Sequence, residues 1–393
     1  MAQPWSVRLR LTNSSVGSAT GNLSLDRGRL RRLFALFTVP PLACACMVGA
    51  QATPLDVWLQ AARVNATSST SMELFGDVMN ESVDVFDVRE SELSSSRPTT
   101  GDYRGWHLFV HKPLTPQWSV DASFWGRQAS IRSDQARFNS GHIAAQYQWL
   151  QQVGWVPYSA LRLSYWGSRS SGLQRSMPIA INGTRLESLN VVAPRDRQLQ
   201  VDLIASWREA SVGIHVFSGL GRSHVRIGVI GGTMTIDDCL YRFSIAGGRT
   251  NGQLARPCGD LVEAEFNLPA STFGGLGPDL LSGYDANFYQ AGTSVDWQRG
   301  DWSLKCGYLI RWFRRSQLDD SLSRANLPSV NSVRLIAAEL SHKLTPQISA
   351  VLRAEITSSQ LMLDVPSIYN GLTAPRLGKR YGFVSVGLGY VFQ

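Results

Sequence analysis

Apolar and polar side chains alternate with a period of two over much of the chain, in stretches of eight or more residues. That is the pattern of strands with two unlike faces. The clearest stretch runs from Ala286 to Arg314. Tyr289, Ala291, Thr293, Val295 and Trp297 share one parity, and Phe288, Gln290, Gly292, Ser294 and Asp296 share the other. Trp302, Leu304, Cys306, Tyr308, Ile310 and Trp312 then form an apolar face, with Ser303, Lys305, Gly307, Leu309 and Arg311 opposite. With Arg299-Gly300 as a two-residue turn, Trp297 pairs with Trp302, Val295 with Leu304 and Tyr289 with Ile310.

The same alternation recurs over Trp118 to Trp125, His142 to Trp149 and Gln198 to Trp207. Further strands fit Leu55 to Val64, Tyr103 to His111, Tyr158 to Gly167, Val212 to Ser218, Ser332 to Ser341, Ile348 to Thr357 and Tyr381 to Phe392. Together these make twelve, and fourteen if Ser223 to Ile236 contributes a further hairpin. Short connections alternate with long polar ones at about 65–102, 168–196, 219–285 and 358–380. Two of the short ones, His111-Lys112-Pro113-Leu114-Thr115-Pro116-Gln117 and His342-Lys343-Leu344-Thr345-Pro346-Gln347, share one turn chemistry.

Ten residues separate Trp302 from Trp312. At about 3.3 Å each and a tilt of about 40°, they span roughly 25 Å of height, the thickness of a bilayer's apolar band. Trp118, Trp149, Trp207, Trp297 and Trp302 share the apolar face next to short turns, as an interfacial aromatic girdle requires, and Trp312, Tyr390 and Phe392 extend it. Composition agrees. Only 17% of the 393 residues are charged, yet no uninterrupted apolar run of about 18 residues follows the first fifty, which argues against a helical membrane bundle. The expected fold is all-β, an antiparallel transmembrane barrel.

The first 52 residues read as an export signal. Arg29 to Arg32 form a charged region, Leu33 to Ala50 an apolar one, and Ala50-Gln51-Ala52 a small-x-small site that predicts cleavage before Thr53. Residues 53–393 are then the barrel. The formal charge of +8 is concentrated in this leader, which holds six arginines against Asp26 alone. Without it, 32 basic residues face 29 acidic ones, and the case for a nucleic-acid partner lapses.

Tyr381 to Gln393 places Val384, Val386, Leu388, Tyr390 and Phe392 on one face. This resembles the C-terminal strand by which Gram-negative outer-membrane barrels, porins among them, are recognised, although the chain ends on Gln393 and not on the aromatic residue. The resemblance implies a monomer in the bacterial outer membrane with both termini in the periplasm. It also implies as partners the barrel assembly machinery, membrane lipid and lipopolysaccharide.

Parity assigns a polar inward face. Arg162, Lys305, Arg311 and Arg353 stand there with Asp121, Asp202 and Glu355, near Trp125, Trp166 and Phe288, and the hairpin register sets Phe288 against Arg311. Such a lining suits passive uptake of small polar or anionic solutes. The alternative is a barrel plugged by its own ion pairs that works through surface loops in adhesion or envelope assembly. A rim-type hydrolase would rest on His224 with Asp237-Asp238, the one such cluster in the long loops. Autotransporter translocators also use twelve strands but need a pore-threading helix first, and here the first strand is expected almost directly after cleavage. Cys239 and Cys258 share a polar segment and are disulfide candidates, with no ligand spacing for a metal. No cofactor motif stands out.

Overall fold

The computed structural model describes residues 62, 69–79, 103–131, 134–175, 179–181, 184–192, 194–246, 249–269, 283–324, 326, 328–359, 366–369 and 381–392. The leader 1–52 lies outside them, and so do most of 65–102 and 358–380.

In chain order, β1 (Ser71–Met79), β2 (Tyr103–Pro113), β3 (Trp118–Ile131), β4 (Asp134–Leu150) and β5 (Tyr158–Ser170) build one side of a barrel. The short strands β6 (Leu173–Arg175), β7 (Ile179–Ile181) and β8 (Thr184–Val191) leave it. β9 (Arg195–Glu209) and β10 (Val212–Arg226) return to it. Then β11 (Ile230–Ile236), β12 (Cys239–Ala246), β13 (Arg249–Leu254) and β14 (Glu265–Pro269) join the excursion strands in a separate antiparallel sheet. β15 (Tyr284–Arg299), β16 (Trp302–Arg314), β17 (Ser332–Lys343), β18 (Ile348–Thr357) and β19 (Tyr381–Val391) complete the barrel, with helix α1 (Ser316–Arg324) between β16 and β17.

The barrel is closed, antiparallel and twelve-stranded, because β1 pairs with both β2 and β19. This corrects the expected first strand. Ser71–Met79 falls inside the segment read as the loop 65–102, and of Leu55 to Val64 only Ala62 is described. The strand was hidden because an aromatic, Phe75, points inward and Gly76 stands among the outward residues, which blurs the alternation. Phe75 rests on Gly387 of β19, where any larger residue would strike its ring.

The loops 168–196 and 219–285 are corrected too, since they hold the second sheet and the last turns of β10. The strand-like stretch beyond Ser223 therefore adds no barrel strand. Leu189, Val191, Ile230, Met234 and Phe243 of that sheet share one apolar cluster with Val225, Tyr284, Phe313, Leu318, Leu322 and Tyr369 at the loop end of the barrel. A disulfide joins Cys239 to Cys258 (Cα–Cα 5.5 Å), tying β12 to the β13–β14 connection. Asp237 and Asp238 both have positive φ (48° and 63°), the backbone of a tight hairpin turn between β11 and β12.

Outside, the faces follow the alternation. Leu203, Ile143, Ile336, Val386 and Leu388 are half exposed, while Asp121, Arg162, Asp202 and Arg353 opposite them are fully buried. The two similar turns fold identically. Thr115 Oγ1 accepts from the N–H of Gln117 (3.2 Å) and Trp118 (3.0 Å), and Thr345 Oγ1 from Gln347 (3.2 Å) and Ile348 (3.0 Å).

The β15–β16 register differs from the expected one by two. The turn is Gly300-Asp301, so Arg299 pairs with Trp302, Trp297 with Leu304 and Tyr289 with Trp312. Gly300 has φ of +58°, a conformation that favours glycine and fixes the turn one residue later.

Leu203→Arg, with its charge on the outward face near mid-band, should lower the unfolding free energy in vesicles by about 2 to 4 kcal/mol. Urea titration followed by heat-modifiable gel mobility reads this, and unchanged stability would show that Leu203 does not face lipid.

Candidate functional site

The inward faces of the twelve strands form a dense polar interior. Arg162 Nη1 lies 2.5 Å from Asp121 Oδ2, whose partner oxygen is 2.6 Å from His111 Nδ1. Across the lumen, Glu339 takes Lys305 Nζ at 2.9 Å and Arg353 Nε at 3.0 Å, and Glu73 stands 3.9 Å from Arg353. Asp202 accepts from Gln200 (2.6 Å) and Gln290 (2.8 Å). Arg311 in turn donates to the side-chain carbonyls of Gln290 (2.9 Å) and Gln200 (3.0 Å).

Aromatic rings link these charges into a stack over four strands. The Arg353 guanidinium lies 4.6 Å over Phe75, Phe75 stacks on His107 (4.3 Å), His107 on Trp125 (3.9 Å), and Arg127 lies 4.2 Å over Trp125. Asp77 holds His107 Nδ1 at 2.9 Å and so fixes the ring in the stack. Arg311 covers Phe288 at 4.4 Å, as a diagonal contact and not as the directly paired neighbour, which is Gln290.

Arg162, Arg353, Asp121, Asp202, Glu355, Trp125, Trp166 and Phe288 are thus buried inward, and Lys305 and Arg311 share their face. Trp118, Trp149, Trp297, Trp302, Tyr390 and Phe392 are exposed on the outer face, and Trp207 and Trp312 lie on the same face, partly covered. Ala62 sits inside the lumen. Its N–H donates to Ser206 Oγ (2.7 Å) and its carbonyl accepts from Gln146 Nε2 (3.3 Å). Ala62 thus lies within the barrel, ahead of β1 in the chain.

One constellation escaped the sequence reading. His215 Nδ1 lies 2.9 Å from Ser206 Oγ and its Nε2 lies 3.0 Å from Asp296, which Arg208 also holds at 2.8 Å. Serine, histidine and acid come together, but inside the barrel near the tight turns, with the serine hydroxyl occupied by Ala62. A hydrolase acting on membrane lipid needs the opposite placement, outward and at the rim. His224 contacts Asp285 (2.5 Å), and among the described residues the candidate rim cluster with Asp237 and Asp238 does not form.

At the loop end, Tyr369 caps the interior beneath the second sheet. Its hydroxyl accepts from Val330 N–H (2.9 Å), Arg315 lies 4.2 Å over its ring, and burial raises its phenol above the usual range.

A closed antiparallel barrel with an apolar exterior, a charged interior and tight turns at one end defines a membrane-spanning architecture. The chain has the fold of a transmembrane β-barrel. No family profile and no curated protein matches it. Among solved structures it is similar to the translocator domain of autotransporter NalP from Neisseria meningitidis (11% identity, 84% of this chain and 90% of that one, TM-score 0.45). It is similar also to the CymD monoaromatic hydrocarbon channel (10%, 88% and 95%, 0.38) and to the NanC porin (10%, 82% and 100%, 0.38). These likenesses concern barrel shape, and the functional reading rests on this chain's own side chains.

Replacing Glu339 by Gln leaves Arg353 and Lys305 short of their shared carboxylate in a buried setting. Stability should fall by about 3 kcal/mol, at the low end for a broken buried pair because Glu73 stands nearby. A urea midpoint unchanged from wild type would show that the Glu339 network holds nothing together.

Proposed function

We propose that the barrel is an outer-membrane conduit for small polar solutes, held closed in the described state. The observation that carries this is the lining. Beside apolar residues such as Ile204, Phe217 and Leu309, the inward faces bear groups that solvate ions and hydroxyls, Gln198, Gln200, Gln290, Arg311, Asp202 and Arg162 among them. Carboxylates and cations are interleaved, as in Asp121–Arg162 and Glu339–Lys305–Arg353, so the lining favours neutral or zwitterionic solutes over strongly anionic ones. The ion-pair layer narrows it at mid-depth, and Ala62, hydrogen-bonded in the lumen to Ser206 and Gln146, blocks it.

The same proposal places the loop end outside the cell and the tight turns in the periplasm. It includes removal of residues 1–52 as an export signal and delivery by the barrel assembly machinery, which the C-terminal face Val384 to Phe392 supports. A plugged barrel acting through its surface is the second reading. The second sheet favours it, being a large ordered body at the loop end braced by the Cys239–Cys258 bridge.

Planar-bilayer recording separates the two. Chain 53–393 should be mostly silent, and the same chain lacking residues 53–66 should show steady conductance steps with weak ion selectivity. Silence of both proteins, each folded by heat-modifiable mobility, would overturn the conduit reading in favour of the plugged barrel.

A further inference from the structure

Above the apolar band at the loop end, the outward faces of the strands change abruptly from apolar to basic. On β9 the outward residues are Leu203, Val201 and Leu199, followed by Arg197 and Arg195. On β10 they are Val216, Ser218 and Leu220, followed by Arg222, His224 and Arg226. On β5, Leu163 and Tyr165 lead through Gly167 to Arg169.

Three of these arginines stand directly side by side, for Arg195 pairs with Arg169 on one side and with Arg226 on the other. Like charges at directly paired positions repel, and a merely solvated face would intersperse acids. The nearby acid is already engaged. Asp285 holds Arg222 at 2.7 Å and His224 at 2.5 Å. Arg226 Nε donates to His224 Nε2 (2.8 Å), which leaves the terminal amino groups of Arg226 to face the cavity. Among the described residues no carboxylate lies within 4.0 Å of Arg169, Arg195 or Arg226.

The three guanidiniums line an open cavity of about 730 Å³ together with His224, Asp285, Val192 and residues 227–229. That volume suits a sugar phosphate. Arg195 lies four residues beyond Leu199, which at about 3.3 Å per residue and a tilt of about 40° puts it roughly 10 Å above the band, at headgroup level.

We propose that Arg169, Arg195 and Arg226 form a binding site for the phosphate groups of an outer-leaflet glycolipid, with the sugar in the cavity and the acyl chains along Leu199, Leu220 and Tyr165. Arginine forks match phosphate oxygens in pairs, and a dianion between them turns their mutual repulsion into attraction. The site rests on the loop end facing the cell exterior, as in the proposed function, but not on conduction.

Native mass spectrometry of detergent-solubilised chain 53–393 tests it, with bisphosphoryl lipid A, its dephosphorylated form and inorganic phosphate as probes. Wild type should retain bisphosphoryl lipid A at least about tenfold more tightly than the dephosphorylated lipid. The R169Q/R195Q/R226Q variant should lose that preference. R104Q/R314Q/R334Q removes as many charges from the same rim and should keep it, and heat-modifiable mobility confirms that both variants fold. Equal loss in both variants would reduce the site to diffuse charge. Retention of inorganic phosphate as tight as that of the lipid would overturn the glycolipid assignment, and neither result bears on whether the lumen conducts.

Discussion

Every backbone N–H and C=O of a strand in lipid must be paired within the protein, because the bilayer core offers no water. In this chain the twelve strands pair in turn, and the pairing of β1 with β19 removes the last open edge. Nine residue pairs from Ser71 with Val391 to Met79 with Phe383 join the two ends of the barrel and leave no open edge. The loop-side excursions are free to build a second sheet because they lie beyond the band in which the constraint operates.

Closure also determines the interior. Twelve strands enclose a lumen that this chain's side chains can span, so inward groups meet across it and not only along it. Arg353 of β18 lies over Phe75 of β1, and Arg311 of β16 reaches Gln200 of β9. Buried charges persist there through partners, as Asp121 has Arg162 and Asp202 has Gln200 and Gln290. The interior is rigid while those partners stay in place, and any passage of solute requires some of them to exchange.

The faces of the strands were legible in the sequence because lipid outside and charge inside impose opposite demands on alternate residues. The parity of Trp302 to Trp312 survived an error in pairing, since moving a two-residue turn by one position changes every partner and no face. The closing strand was not legible, because Phe75 and Gly76 break the contrast that revealed the others. Nor was the second sheet. Its strands are short and pack on the barrel through scattered residues such as Met234 and Phe243, which gives no sustained alternation. The Ser206, His215 and Asp296 cluster comes from three strands, and only the register of β9, β10 and β15 brings them together.

The barrel's closure can be measured directly by cross-linking. Leu74 and Leu388 are paired outward residues of β1 and β19, and a disulfide fits the spacing of adjacent strands. In a background with Cys306 replaced by Ser, the Leu74→Cys/Leu388→Cys protein should form an intramolecular disulfide without losing its folded gel mobility. A folded protein in which Leu388→Cys ignores Leu74→Cys but couples to Val64→Cys would contradict closure by β1 and show that residues 55–64 close the barrel instead.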